Sequence, residues 1–306
     1  MNLQGARRWL PWLVALAILV FLVREVRVDA LREAFRHGAW VALSLYIVLE
    51  TLIALPADAF GTREALAVAG IPRPWSEVLL ARGASYLLGL LSYVAGQGGM
   101  GFYLARTGVT PGRSAGAVLL LMIANGIVLV LLGAAGLTIE LNRLEGVRTD
   151  LLLLVIAAAL AGTLAYLIVI AVRPRWLERY GLLAPLFEAG LGGHLRAVLA
   201  RFPHMLLLAA LHWGAFRIWG IAVPLERGLA LNPIVLLIAA LPVTPGGLGT
   251  TQALQVLFFS PYSSASAVLA FSLVHHVVSL VVQGAIGLAC LVLLRRTLPP
   301  EGAEQP

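Results

Sequence analysis

The stretch Leu241–Gly249, which reads LPVTPGGLG, breaks an otherwise apolar part of the chain with two prolines and three glycines. It separates the apolar segments Leu229–Leu241 and Thr250–Phe259, each too short to cross about 30 Å of lipid hydrocarbon as a helix. Proline ends a preceding helix, and glycine adopts the positive φ angles that a tight reversal needs. We therefore predict that residues 229–259 form a re-entrant hairpin, which enters the membrane and returns to the same side.

The chain as a whole has the composition of a membrane protein. Of its residues, 60% are hydrophobic and 12% are charged, whereas about 25% of the residues of a soluble domain are charged. Long uncharged apolar blocks indicate membrane-crossing helices, so we predict an all-α, polytopic helical bundle that forms one membrane domain over residues 1–306. The blocks are Trp9–Val23, Gly38–Leu55, Trp75–Ala95, Ser114–Leu137, Leu151–Val172, Pro203–Val223, Leu229–Leu241 and Ser264–Leu294.

The arginines indicate how these blocks cross the membrane. The basic residues behind the net charge of +7 lie mainly at block ends, as the positive-inside rule expects, and form no patch that favours nucleic acid. The arginine-rich segment 173–202 is predicted to be a cytoplasmic loop, and both chain termini are predicted to be cytoplasmic. Six blocks then cross completely, while 76–108 and 229–259 form re-entrant hairpins that enter from opposite sides.

Segment 24–37 is the stretch that fits this arrangement least simply. It places four arginines on the outer side, where three acidic residues offset them. Val28, Leu31 and Phe35 give the segment an apolar stripe, so we predict that it lies along the membrane interface.

The two hairpins carry similar glycine motifs. Gly98-Gly99-Met100-Gly101 matches Gly246-Gly247-Leu248-Gly249, and each motif is followed by a short apolar piece and a long apolar block. An inverted pair of broken hairpins is typical of a transporter site near the membrane midplane. The alternatives are that the glycines permit close helix packing or that the motif recurs by chance.

The hairpin tips and two arginines within the apolar blocks are the candidate lipid-binding groups. A helix start carries partial positive charge, so each tip is a predicted seat for an anion such as a lipid phosphate, with Thr250 or Thr251 capping the second one. An arginine at membrane depth is costly, and it either binds an anion, forms a structural ion pair or reaches the interface. Acidic partners would be Glu50 or Asp58 for Arg82 and Glu226 for Arg217. The candidate residues are Gly98, Gly99, Gly101, Arg82, Arg217, Pro245, Gly246, Gly247, Gly249, Thr250 and Gln252.

Signals for metal, cofactor or catalysis are few. His275 and His276 are adjacent, so on a helix they point about 100° apart and are not expected to bind one metal ion. The chain has no Asp-x-Asp motif and no lysine-containing phosphate loop, so we expect no cofactor and favour a protein that is not an enzyme, with enzymatic activity left open as an alternative. Gln97, Asn125 and Gln283 are predicted to make hydrogen bonds between helices.

The second glycine motif resembles a known family signature. Leu241–Gly249 looks like the Pro-x-x-Pro-Gly-Gly-x-Gly signature of the flippase-like transmembrane region of lysylphosphatidylglycerol synthetases. The stretch from Gly96 to Val109 looks like that family's other Gly-Gly hairpin, and the resemblance runs from about Gly38 to Leu294. Met100 and Gln252 stand where family members often carry acidic residues.

The resemblance implies lipid handling, with movement of a phospholipid between leaflets of a bacterial plasma membrane. The cytoplasmic domain that aminoacylates lipid in the full synthetases is not expected here, so aminoacyl transfer is not carried over. Two alternatives remain, namely a non-transporting lipid-binding subunit that partners a lipid-modifying enzyme, and a lipid-modifying enzyme without a recognisable motif.

Overall fold

A computed structural model of the chain describes residues 3–26, 28–140, 149–241 and 244–297. Within these ranges the chain forms α-helices joined by short turns and contains no β-strand. The helices are α1 (Leu3–Glu25), α2 (Val28–His37), α3 (Trp40–Val68), α4 (Trp75–Gly89), α5 (Tyr93–Arg106), α6 (Pro111–Glu140), α7 (Thr149–Val172), α8 (Arg175–Glu178), α9 (Ala184–Trp219), α10 (Leu225–Ala240), α11 (Thr250–Phe259) and α12 (Ala265–Thr297).

The long helices have the length and composition of membrane-crossing segments. In the described residues five helices are long and apolar enough to cross a membrane, and they correspond to α3, α6, α7, α9 and α12. The predicted all-α polytopic bundle is therefore confirmed. The block Trp9–Val23 lies inside α1, whose side chains are described only from residue 12 onward, so its crossing stays a prediction.

The prediction of a loop over residues 173–202 is wrong for most of its length. The segment contains α8 and the first half of α9, a helix of 36 residues that bends at Gly190, where φ is 57°. Arg201 consequently lies in the middle of a helix, where it is only 1% exposed. The guanidinium group of Arg201 is paired inside the protein, so its charge can be buried within this helix although it interrupts the apolar pattern of the sequence. The cytoplasmic location of the segment stays a prediction.

Two helical hairpins consist of helices too short to cross the membrane. The first pairs α4 with α5, of 15 and 14 residues, and the second pairs α10 with α11, of 16 and 10 residues. At about 1.5 Å per residue, none of the four reaches the roughly 30 Å of a bilayer core. Their re-entry into the membrane and their inverted relation stay predictions.

The first glycine motif does not lie at the tip of its hairpin, which corrects the expectation of an anion seat there. The reversal falls at Leu90–Ser92, and the Ser92 hydroxyl caps α5 by accepting a hydrogen bond of 3.1 Å from the Ala95 amide. The motif lies inside α5 instead, so its amides are used by the helix. Just before it, a Cβ added to Gly96 would lie 3.0 Å from Gly89 Cα, so a glycine here serves the close packing of α4 on α5.

The second glycine motif does form its hairpin's tip. Gly246, Gly247 and Gly249 have φ angles of 57°, 74° and 85°, which confirms the positive φ expected of this turn. The predicted threonine cap is wrong, because the Gln252 side chain accepts the Gly249 N–H at 2.6 Å, while the Thr250 hydroxyl donates to the Gly247 carbonyl at 3.0 Å. Pro242 and Val243, which belong to the quoted stretch, lie outside the described residues.

The short helix α2 packs on the bundle beside α12. Leu31 is buried against the protein, whereas Val28 is 48% exposed, so only part of the predicted apolar stripe is covered by protein. The location of α2 at the membrane interface stays a prediction. The main hydrophobic core, which includes Phe216 and Phe271, lies among the helices on this side of the molecule.

Candidate functional site

A cavity lined by charged, polar and apolar side chains opens where the two hairpins meet the long helices. Its larger part, about 380 Å³, is lined by Glu50, Asp58 and Arg82 together with residues of α5, α9 and α12, and we call it the charged chamber. Its smaller part, about 270 Å³, is lined by seven residues with uncharged polar side chains, and we call it the polar chamber; they are Asn232, Thr251, Gln252, Gln255, Ser272, Ser279 and Gln283. Gly89 and Gly246, one from each hairpin, line both chambers. The chambers therefore form one cavity between the hairpins.

A buried cluster of two arginines and one aspartate forms one end of the charged chamber. Asp58 Oδ2 accepts hydrogen bonds from Arg82 Nε at 3.0 Å and Nη2 at 2.7 Å. Asp58 Oδ1 accepts a bond of 2.6 Å from Arg201 Nη1, which also donates to the Asp58 backbone carbonyl at 2.8 Å. The predicted pairing of Arg82 with Asp58 is confirmed, and Arg201 is a second partner that the sequence did not indicate.

Neutral side chains hold both guanidinium groups in place. Gln97 Oε1 accepts from Arg82 Nη1 at 3.1 Å, and Asn125 Oδ1 accepts from Arg201 Nε. Asn125 in turn donates to the Tyr93 hydroxyl at 2.9 Å, and His204 Nδ1 lies 2.9 Å from Arg201 Nη2. These bonds confirm that Gln97 and Asn125 link helices, and they pair part of the buried guanidinium donors, which would otherwise cost free energy.

Two features of α3 make this cluster possible. Glu50, Ala54 and Asp58 are spaced four residues apart, so they lie near one face of the helix and all line the chamber, with about 12 Å between the two acids along the axis. Gly61 has no side chain, and a Cβ there would lie 2.4 Å from Arg201 Cδ. The missing side chain leaves the space through which Arg201 reaches Asp58.

The cluster has more positive than negative charge. Asp58 neutralises one arginine, and the neighbouring amides and hydroxyls carry no charge, so an excess of one positive charge remains. Arg82 is 5% exposed and faces the chamber, whereas Arg201 lies behind it at 1%. A desolvated cation attracts an anion more strongly than one in water does, so this end of the chamber suits a phosphate or carboxylate.

The opposite end of the charged chamber contains an acid and two histidines. His275 Nε2 lies 3.3 Å from Glu50 Oε2, and the His275 and His212 rings pack edge to face with centroids 4.6 Å apart. One ligand atom of each of the three residues lies within 4.8 Å of the others, close enough to suggest metal binding. His276 is not part of this group, although it lines the polar chamber together with His275.

The polar chamber contains buried atoms that make no hydrogen bond to the described part of the protein. They are Gln252 Nε2, Gln255 Oε1, Asn232 Oδ1 and Ser272 Oγ. All four residues are at most 2% exposed and all line this chamber. Because buried polar groups nearly always find a partner, the chamber suits water or an uncharged polar group of a ligand.

Ten of the eleven residues predicted from sequence to bind lipid fall into three groups. Arg82, Gly246 and Gln252 line the cavity, and the remaining residues of the second motif form the turn beside it; these are Pro245, Gly247, Gly249 and Thr250. Gly98 and Gly101 line an apolar groove between α5 and α6 instead, and Gly99 packs on α4.

Arg217 lies away from this site. It is exposed in the last turn of α9 and makes no ion pair with Glu226 within the described part of the chain. Its position at a helix end agrees with the interface alternative considered for it from the sequence.

The site also includes residues that sequence reasoning did not select. Arg201 and His204 were assigned to a loop and the start of an apolar block, and Gln255 received no role. The signal that could have found the first two is their spacing of three residues, which puts them on one helix face where the apolar block begins. His275 was considered only beside His276, and its approach to His212 depends on the side-chain packing of α9 and α12.

Comparison with known protein families identifies the family of this chain. Residues 8–287 match the sequence model of the family described as Lysylphosphatidylglycerol synthase TM region. The match covers most of the chain, so the protein belongs to this family and is an integral membrane protein. No curated protein matches the chain in sequence.

Proposed function

We propose that this member of the lysylphosphatidylglycerol synthase TM family binds the headgroup of an anionic phospholipid in its cavity and moves the lipid between leaflets. The observation that carries the proposal is the buried cluster in which two arginines share one aspartate. A lipid phosphate beside Arg82 would supply the missing negative charge, which lowers the cost of keeping the cluster in a low-dielectric environment.

Arg82 has hydrogen-bond donors left for such a phosphate. Each of its two terminal nitrogens carries two N–H groups. One bond from Nη1 goes to Gln97 and one from Nη2 to Asp58, so each nitrogen keeps a further N–H. Because Arg82 lines the chamber, a phosphate oxygen entering it would accept charge-assisted hydrogen bonds, which are about twice as strong as neutral ones.

The size and polarity of the cavity suit a headgroup rather than a whole lipid. A chamber of about 380 Å³ lies at the lower end of the range for small-molecule sites, roughly 300–1,000 Å³. The acyl chains would remain in the bilayer. The unpaired donor and acceptors of Asn232, Gln252 and Gln255 would bind hydroxyl groups or water that accompany the headgroup into the polar chamber.

The same proposal includes the arrangement of the protein in the plasma membrane. Both termini would be cytoplasmic, and the two short-helix hairpins would enter from opposite sides as an inverted pair. The cavity between them would then be reached from either leaflet by modest movements of the hairpins.

A liposome assay tests the proposal. The purified full chain is reconstituted with fluorescent phosphatidylglycerol, and an impermeant reductant reports the fraction of lipid that reaches the outer leaflet over time. We expect faster exchange than in protein-free liposomes. Arg82→Gln should slow exchange by about tenfold, equivalent to roughly 1.4 kcal/mol, because the cavity-facing cation is lost while Asp58 keeps Arg201 as its partner.

Arg113→Gln is the matched control for this assay. Arg113 also pairs with a carboxylate, Glu188 at 2.5 Å, but both side chains are substantially exposed and lie outside the cavity, so exchange should be unchanged. Wild-type exchange equal to that of empty liposomes, or equal losses in the two variants, would contradict transport through this site. Stable co-purification of phosphatidylglycerol without exchange would instead identify a non-transporting lipid-binding subunit.

A further inference from the structure

We propose that Glu50, His212 and His275 form a binding site for a divalent transition-metal ion, and that zinc is the ion that suits them best. The three residues come from three different helices, α3, α9 and α12, so their approach is a product of the tertiary fold. One ligand atom from each lies within 4.8 Å of the other two. The set of two imidazoles and one carboxylate is a common zinc ligand set.

The three ligand atoms would have to move only slightly closer together to bind one metal ion. Zinc binds imidazole nitrogen and carboxylate oxygen at about 2.0–2.2 Å, so neighbouring ligand atoms of a tetrahedral site are roughly 3.4 Å apart. His275 Nε2 and Glu50 Oε2 already lie 3.3 Å apart. The remaining contraction, about 1.4 Å at most, falls within the reach of side-chain rotation by His212.

Burial and outer contacts also favour a metal ion here. Glu50 is 8% exposed, and its carboxylate lies within hydrogen-bond distance of the His275 ring, so a metal ion would add positive charge beside a buried acid. The amide nitrogen of Gln255, 2.7 Å from His212 Nε2, is a donor, so His212 would give up this hydrogen bond on binding a metal ion. Ser279 Oγ lies 3.5 Å from His275 Nδ1, the ring nitrogen that would carry the proton when Nε2 binds the metal. Outer contacts of this kind orient metal-binding imidazoles.

The proposed site would keep one coordination position open. Three protein ligands leave a fourth tetrahedral position, and all three residues line the charged chamber opposite Arg82. A bound ion would therefore face the same cavity as the proposed lipid headgroup, and a water molecule or a headgroup oxygen could complete its coordination. The inference does not require lipid transport, because it rests on the acid and the histidines alone.

Metal analysis of the purified full chain tests the site. The protein, prepared with a tag that contains no histidine, is stripped with a chelator, incubated with zinc chloride, desalted and measured by mass spectrometry for zinc. We expect about one zinc per wild-type chain. His212→Ala, His275→Ala and Glu50→Gln should each reduce zinc affinity at least tenfold, since each removes one of three ligands.

His276→Ala is the control, because His276 is next to His275 but outside the ligand group, and it should retain zinc. Arg82→Gln should also retain zinc, so a failure of lipid binding and a failure of metal binding can be told apart. Zinc should raise the Tm of the wild type and of His276→Ala but not of Glu50→Gln, a variant that keeps the size of the side chain. Less than half an equivalent of zinc in the wild type, or an equal loss in His276→Ala, would overturn the proposal.

Discussion

Asp58 serves two arginines at once, so the three members of the cluster are not equivalent. Removing one arginine leaves a one-to-one pair of buried charges. Removing the aspartate leaves two buried guanidinium groups close together with no counter-ion, and an unpaired buried charge costs several kcal/mol. Asp58 is 2% exposed, so water gives little compensation.

We expect Asp58→Asn to destabilise the protein more than Arg82→Gln does. Loss of the shared counter-ion should cost about 3–5 kcal/mol, whereas Arg82→Gln should cost clearly less because Arg201 remains paired with Asp58. Thermal unfolding in detergent, followed by tryptophan fluorescence, gives the comparison. Equal Tm values for the two variants would mean that Asp58 does not act as the shared counter-ion.

Among the residues of this cluster, the sequence indicates the role of Arg82 but not that of Arg201. Arg82 is a single charge inside an apolar block, and its pairing with Asp58 follows from the cost of an unpaired charge in the membrane. Arg201 stands among other arginines, so local charge density suggested a loop. The bond that holds it, to an aspartate 143 residues away, cannot be found from composition near either residue.

The two glycine motifs illustrate a similar limit for elements. Their similar sequences predicted that both motifs form hairpin tips, yet Gly98 lies inside α5 and Gly247 lies in a turn with φ of 74°. The difference arises upstream of each motif. Pro245 directly precedes the second motif and favours a turn, whereas α5 has already begun at Tyr93, capped by Ser92, before the first motif is reached. Sequence alone predicts that each hairpin exists but not where the first one reverses.

A pair of alanine substitutions tests this difference. Gly247→Ala should cost about 1–2 kcal/mol, because an L-residue is strained at this positive φ and its Cβ would lie 2.8 Å from Thr251 Oγ1. Gly98→Ala should be neutral or stabilising by up to about 1 kcal/mol, because Gly98 is helical and a Cβ there meets no atom within 4 Å. Tm in detergent measures both, and a larger loss for Gly98→Ala would contradict these assignments.

At the scale of the whole molecule, hydropathy correctly predicts a helical membrane bundle, but the sidedness of that bundle rests on arginine counting. Glu226 at the start of α10 is expected on the outer side and Arg179, just past α8, on the cytoplasmic side. Both side chains are exposed, so both positions can be labelled. The chain has a single cysteine, Cys290, which is buried.

Cysteine labelling tests the sidedness directly. In a Cys290→Ala background, a membrane-impermeant maleimide added to intact cells should label Glu226→Cys and not Arg179→Cys, because only the first residue would face outward. Both should be labelled after the cells are lysed, and this serves as the control for reactivity. The reverse pattern in intact cells would invert the proposed topology.

The sequence separations within the cavity have a consequence for how the protein is made. Asp58 meets Arg82 only 24 residues later in the chain, so this charge can be compensated soon after α3 emerges from the ribosome. Glu50 lies 225 residues before His275, so this contact must wait for the synthesis of α12. During biogenesis α3 would therefore carry one acid that is neutralised early and another that lacks its histidine partner until about 225 further residues have been synthesised.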